Sequence, residues 1–111
     1  MEIDKTTFQE LRAMSGEDFI DELIDTFLDD APKLVGAMRA ALQTNDAEGF
    51  RRAAHSLKSN SATFGATRLS ALAKDMEMMG KEGKLGEAQA ALPPLESALE
   101  LAAQELKGLR K

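Results

Sequence analysis

Apolar residues recur along this chain at steps of three and four, the spacing that gathers them on one face of an α-helix. The stripe opens with Phe19, Ile20, Leu23, Ile24, Phe27 and Leu28, and Leu34, Val35, Met38 and Leu42 continue it. Ser15 followed by Asp18 makes a cap-like start, and Pro32 removes a backbone donor. One long helix reaching about Gln43, bent near Pro32, is predicted. Before it, a short helix from about Thr6 to Met14 has Asp4 or Thr6 as cap and Phe8 and Leu11 inward, like a lid. Thr44, Asn45 and Asp46 read as a turn, with Asp46 capping a helix over about 47–64. Gly65 suits the stop of that helix, and Thr67 suits the cap of the next, whose inner residues are Leu69, Leu72, Ala73, Met76 and Met79. That helix should end near Gly80, with a charged loop over 81–86. In the last segment Leu92, Leu95, Leu99, Ala102, Leu106 and Leu109 alternate steps of three and four, and Pro93 and Pro94 should break or bend its start. The expected fold is all-α: one domain over 1–111, an antiparallel up-down four-helix bundle with a short extra N-terminal helix.

Composition narrows the function classes. The 111 residues include no tyrosine and no tryptophan, and abundant Ala, Leu, Met, Glu and Lys favour helix. Without cysteine there is no disulfide framework or thiolate, and one histidine makes no recognisable transition-metal cluster. A net charge of −5 disfavours a general nucleic-acid binder. No apolar run approaches the roughly 20 residues that span a bilayer, and no export signal opens the chain. A cytoplasmic location, no membrane and no nucleic acid are expected.

The chemistry then concentrates on the one histidine. Around the predicted third helix Phe50, Ala53, Ala54, Leu57, Ser61 and Phe64 share the buried line, and His55 lies roughly 140° from it. Its neighbours on the exposed face are Arg51 at i−4, Lys58 at i+3, Ser59 at i+4 and Ala62 at i+7. A structural histidine would sit on the apolar line with a satisfied partner. An idle surface histidine is the simple alternative. A nucleophilic imidazole meeting a phosphoryl group would instead require nearby positive charge, small neighbours and no apolar cover, and these residues provide all three.

The same stretch, A-H-S-L-K-S-N-S-A-T-F-G-A over Ala54 to Ala66, resembles the signature of histidine-containing phosphotransfer (HPt) domains. Phe27 to Phe50 looks like the helix and turn before the histidine in that family, and Thr67 to Glu77 like the helix after it, so the resemblance covers about residues 3 to 109. It departs at Ser59, where the family has glycine after the lysine. What the resemblance implies is a four-helix bundle whose His55, through Nε2, takes a phosphoryl group from a receiver-domain aspartate of a response regulator and passes it to another. It also implies Lys58 as the group that neutralises the phosphoryl oxygens. A polar residue on the following helix orients the histidine in that family, and the matching position is Glu77. By position alone Glu77 lies about 100° from the apolar line, so an ordinary boundary glutamate is equally compatible. Arg51, Ser59 and Ala62 would be docking contacts. No cofactor is expected, because magnesium would belong to the receiver. A monomeric phosphocarrier without kinase activity of its own follows, served by receiver domains that include those of hybrid kinases.

Two other classes compete. A non-catalytic docking or scaffolding bundle would keep the apolar stripe without requiring His55, Lys58 and the small strip together. A histidine-kinase dimerisation pair would carry H-E-[apolar]-R-T-P, whereas Ser56, Leu57 and Lys58 follow His55. Met1 fits a free-standing protein, and a domain of a longer hybrid or chemotaxis kinase is the other arrangement. Met76, Met78 and Met79 read as core packing with one exposed methionine rather than a sulfur site. Asp29 and Asp30 read as a solvated face rather than a magnesium site.

Overall fold

A computed structural model of the chain describes residues 2–110 and contains five helices. These are α1 (Lys5–Ser15), α2 (Glu17–Gln43), α3 (Ala47–Thr63), α4 (Thr67–Lys81) and α5 (Leu85–Leu109). At 1.5 Å per residue the 27 residues of α2 reach roughly 40 Å. That length sets the long axis of a molecule measuring 42 × 20 × 20 Å. Helices α2 to α5 form the bundle: α3 packs most extensively on α4, then on α2, and α2 meets α5 to close the ring. Short α1 lies against α2 and α3. The fold is therefore the all-α bundle with an extra N-terminal helix.

Each interior face is the one the periodicity marks out. Ile20, Ile24, Phe27, Ala31, Val35 and Met38 from α2 meet Phe50, Ala54 and Leu57 from α3, Leu69, Ala73 and Met76 from α4, and Leu95, Ala98, Ala102 and Leu106 from α5. Phe8 of α1 is 1% exposed and covers one end of this core. Phe19, expected in the stripe, is instead 52% exposed. It sits about 100° around the helix from Ile20, beyond the edge of the buried line.

The ends of the helices depart from expectation in instructive ways. Ser15 does not cap α2; it is the last residue of α1, and Gly16 at φ 89° makes the corner without a side-chain cap. Thr67 is the first residue of α4, with Ala66 in the cap position and no side-chain cap bond. Ala66 is held there by another route, an antiparallel bridge to Ile3. Beside it, the Asp4 N–H donates to the Gly65 carbonyl at 2.7 Å. A Cβ on Gly65 would lie 2.9 Å from the Asp4 carbonyl oxygen, and its φ of 79° also favours glycine. Asp4 and Asp46 do cap α1 and α3, accepting from the Thr7 and Gly49 amides.

The connection expected over 81–86 is only Glu82 to Lys84, since α4 includes Lys81 and α5 begins at Leu85. Pro93 and Pro94 do not break α5. The carbonyls they leave without an amide partner, those of Gln89 and Ala90, belong to exposed residues where water can take the donor's place. Pro32 likewise sits inside a single α2.

Candidate functional site

Helix α3 carries His55 midway along its length, on the side away from Phe50, Ala54 and Leu57. Its side chain is 54% exposed. Helix α4 runs beside it and brings up Glu77, whose side chain is only 15% exposed. One carboxylate oxygen, Oε2, lies 2.8 Å from His55 Nδ1, and the other, Oε1, accepts from Lys58 Nζ at 2.7 Å. Glu77 thus bridges the two residues of α3 that the sequence singles out. Ser70 ties the same pair of helices together by donating its hydroxyl to the Lys58 carbonyl at 3.0 Å.

Electrostatics follow from this bridge. Hydrogen bonding to Lys58 holds the Glu77 carboxyl below the usual carboxylate range, against the opposing effect of burial, and the His55 bond adds to it. Glu77 is therefore a carboxylate at neutral pH and can only accept. The proton of a neutral imidazole then belongs on Nδ1, which leaves the Nε2 lone pair free. An exposed, correctly tautomerised imidazole beside an ammonium group is suited to attack a phosphoryl group delivered from outside.

The remaining residues take up distinct places. Arg51 is turned to its own helix, where Glu48 accepts from its guanidinium. That pairing pushes the Arg51 pKa up through the hydrogen bond. Ser59 and Ala62 are exposed on the histidine's side of α3. No group of three or more metal-ligating side chains occurs among the described residues.

Sequence reasoning missed two residues that set this geometry. Gly80 of α4 is buried where α4 meets α3, and a Cβ there would lie 3.1 Å from the Phe50 ring and 3.2 Å from Arg51 Cα. Its place near a helix end resembled punctuation, and only the neighbouring helix reveals the close approach. Ser70 is the other, a partly buried hydroxyl whose acceptor is 12 residues away.

Residues 22–109 match the Hpt domain model, and the chain belongs to this family. Among solved structures, histidine-containing phosphotransfer protein B (HptB) from Pseudomonas aeruginosa PAO1 superposes with a TM-score of 0.93. The alignment covers 98% of this chain and 94% of HptB at 28% identity. Histidine-containing phosphotransfer protein 5 of Arabidopsis thaliana is 35% identical over 68 residues. That match takes in 56% of this chain and 43% of the plant protein's length.

Proposed function

We propose that this chain is a phosphocarrier of a two-component phosphorelay, with His55 as the residue that carries the phosphoryl group. The neutral imidazole attacks the phosphorus of an aspartyl phosphate on a receiver domain. An Nε2–P bond forms as the acyl O–P bond breaks, and the receiver aspartate leaves as a carboxylate. Reversal of the same step on a second receiver returns the carrier to its starting state. The supporting observation is the 2.8 Å contact between His55 Nδ1 and Glu77. It fixes the nucleophilic nitrogen outward and stabilises the positive charge that the ring gains during attack.

Little covalent work remains for other residues in such a transfer; positioning and charge stabilisation dominate. Lys58 neutralises phosphoryl oxygens, swinging from Glu77 or sharing its three N–H donors between them. Arg51, Ser59 and Ala62 contact the docking receiver, and the hydroxyl of Ser59 leaves room for close approach. Magnesium belongs to the receiver, so the carrier needs no cofactor. It works as a monomer in the cytoplasm and is not an autonomous kinase. Among the described residues no helix is long and apolar enough to cross a membrane.

Intact-mass measurement after incubation with a phosphorylated receiver domain and magnesium tests the assignment. One acid-labile phosphoryl on the wild type and none on His55→Gln is the expected result. Absence of labelling by every receiver of the host would leave the bundle as a docking module only.

A further inference from the structure

Helix α1 and the residues before it form an arm laid back over the bundle. Ile3 is 3% and Phe8 1% exposed, Ile3 forms the bridge with Ala66, and the Arg12 guanidinium donates to the Leu109 carbonyl at 3.4 Å. The Glu105 carboxylate accepts from the backbone amides of Glu2 and Ile3. One residue, Gly16, connects this anchored arm to α2. Its N–H donates to the Arg12 carbonyl at 2.9 Å and its carbonyl accepts from the Ile20 N–H at 3.0 Å, so the helical ladder ends and restarts on the same residue. The corner depends on φ 89° and ψ 159°, a region that residues with a side chain rarely enter. Straightening it would let the amides of Asp18 and Phe19 reach the carbonyls of Met14 and Ser15 at the i→i−4 spacing. No proline stands between Lys5 and Ala31 to interrupt one continuous helix.

Backbone geometry therefore favours an open corner, while the anchors favour a seated arm. A second copy of the chain satisfies both. On one continuous helix, at 100° per residue, Phe8 and Leu11 point roughly 160° away from the line of Ile20, Ile24, Phe27 and Ala31. The two halves of such a helix face two different bundles. Met14 and Phe19, 85% and 52% exposed, flank the hinge. Where two such helices cross antiparallel at Gly16, Met14 of one copy stands opposite Phe19 of the other. We propose that the arm, residues 2–15, exchanges between two copies of this chain about Gly16 as hinge. Each arm then fills, on the other copy, the seat that it fills within one chain in the monomer, and the pairing of Met14 with Phe19 is the added contact. The monomer prevails when dilute, because a chain's own seat stands at the higher effective concentration. His55, Lys58 and Glu77 lie on α3 and α4, which the exchange leaves in place, so the inference is independent of the phosphotransfer reading.

Size-exclusion chromatography with light scattering tests the exchange on the full chain. A Cβ on Gly16 meets no atom within 4 Å among the described residues, so Gly16→Ala acts only through the backbone conformation that it disfavours. Gly36→Ala, on an exposed face of α2 and without a positive φ, is the control. Both are refolded from urea at about 1 mM chain in about 0.3 M salt, which screens the net charge of −5 on each copy. Gly16→Ala should show a dimer-to-monomer ratio about tenfold or more above wild type, and Gly36→Ala should match wild type. In dimers assembled from equal parts of isotope-labelled and unlabelled chains, isotope-filtered NOEs should join the Phe8 ring to the core of the other copy. A folded Gly16→Ala monomer, or a dimer whose Phe8 contacts stay within one chain, would overturn the proposal. Should Gly16→Ala fail to fold, the wild type refolded at the same concentration decides. A dimer with intermolecular Phe8 contacts upholds the exchange, and any other state removes it.

Discussion

At the scale of single residues, Glu77 does two things that substitutions can separate. It accepts from Nδ1 of His55, and it carries the charge that holds Lys58. Glu77→Gln keeps a carbonyl acceptor for Nδ1–H but loses the charge. Transfer to His55 should fall by about tenfold, whereas Glu77→Ala, which frees the tautomer, should cost on the order of a hundredfold. Single-turnover rates would separate the two, and the imidazole nitrogen shifts of Glu77→Ala should report a mixed tautomer. Ser61 makes a different point. It is fully buried, and its hydroxyl has no hydrogen-bond partner among the described residues. An unpaired buried hydroxyl costs about 1–3 kcal/mol, and alanine is the better helix former. Ser61→Ala should therefore raise stability by about 1 kcal/mol in urea unfolding, without changing transfer. A loss of stability would mean that this hydroxyl is paired in solution.

Between elements, the controlling quantity is the separation of α3 and α4, because His55 stands on one helix and its carboxylate partner on the other. At Gly80 the two approach so closely that its missing Cβ helps set their distance. Gly36, on an exposed face of α2 with no atom within 4 Å of a built Cβ, is the matched comparison. Gly36→Ala should stabilise by up to about 1 kcal/mol through helix propensity alone. Gly80→Ala gains the same propensity but must push α3 by a few tenths of an ångström, and should destabilise by about 1–2 kcal/mol. It should also slow transfer, through a longer His55–Glu77 contact. Equal thermal stability and equal rates for the two variants would exclude this spacing role. The sequence made each helix legible, since burial imposes the 3.6-residue period on every segment. Corners were less legible, because Gly16 and Ala66 are held by backbone geometry and by Ile3 from a remote part of the chain. No local residue pattern encodes such a contact.

For the whole molecule, the same division applies to the site. His55, Lys58 and the exposed small strip share one helix, so their mutual placement could be read from spacing. Glu77 could be placed only at a helix boundary, and its contact with both partners needed the packing of α3 on α4. The Gly80 approach and the Ser70 bond were out of reach for the same reason. Acid response brings these scales together. Asp4, Asp25, Glu48 and Glu77 all have carboxyl pKa values held below the ordinary value, in turn by hydrogen bonds from Thr7, Arg110, Arg51 and Lys58. A depressed folded-state pKa means that the unfolded chain binds more protons as the pH falls through the ordinary carboxylate range. The stability these groups contribute is present above the unfolded pKa, about 4 to 4.5, and is lost as pH drops through the folded values. Asp4, Asp25 and Glu48 are exposed, where solvent screening keeps each contribution small. Glu77 is the shielded one, so it should dominate the acid limb. Urea-unfolding free energy should accordingly stay nearly level from pH 7 to about 5 and decline below it. Glu77→Gln should show a shallower decline over that lower range, while Asp25→Asn should follow the wild-type curve closely. An unchanged slope for Glu77→Gln would mean that the bridge between α3 and α4 is not maintained in the free protein.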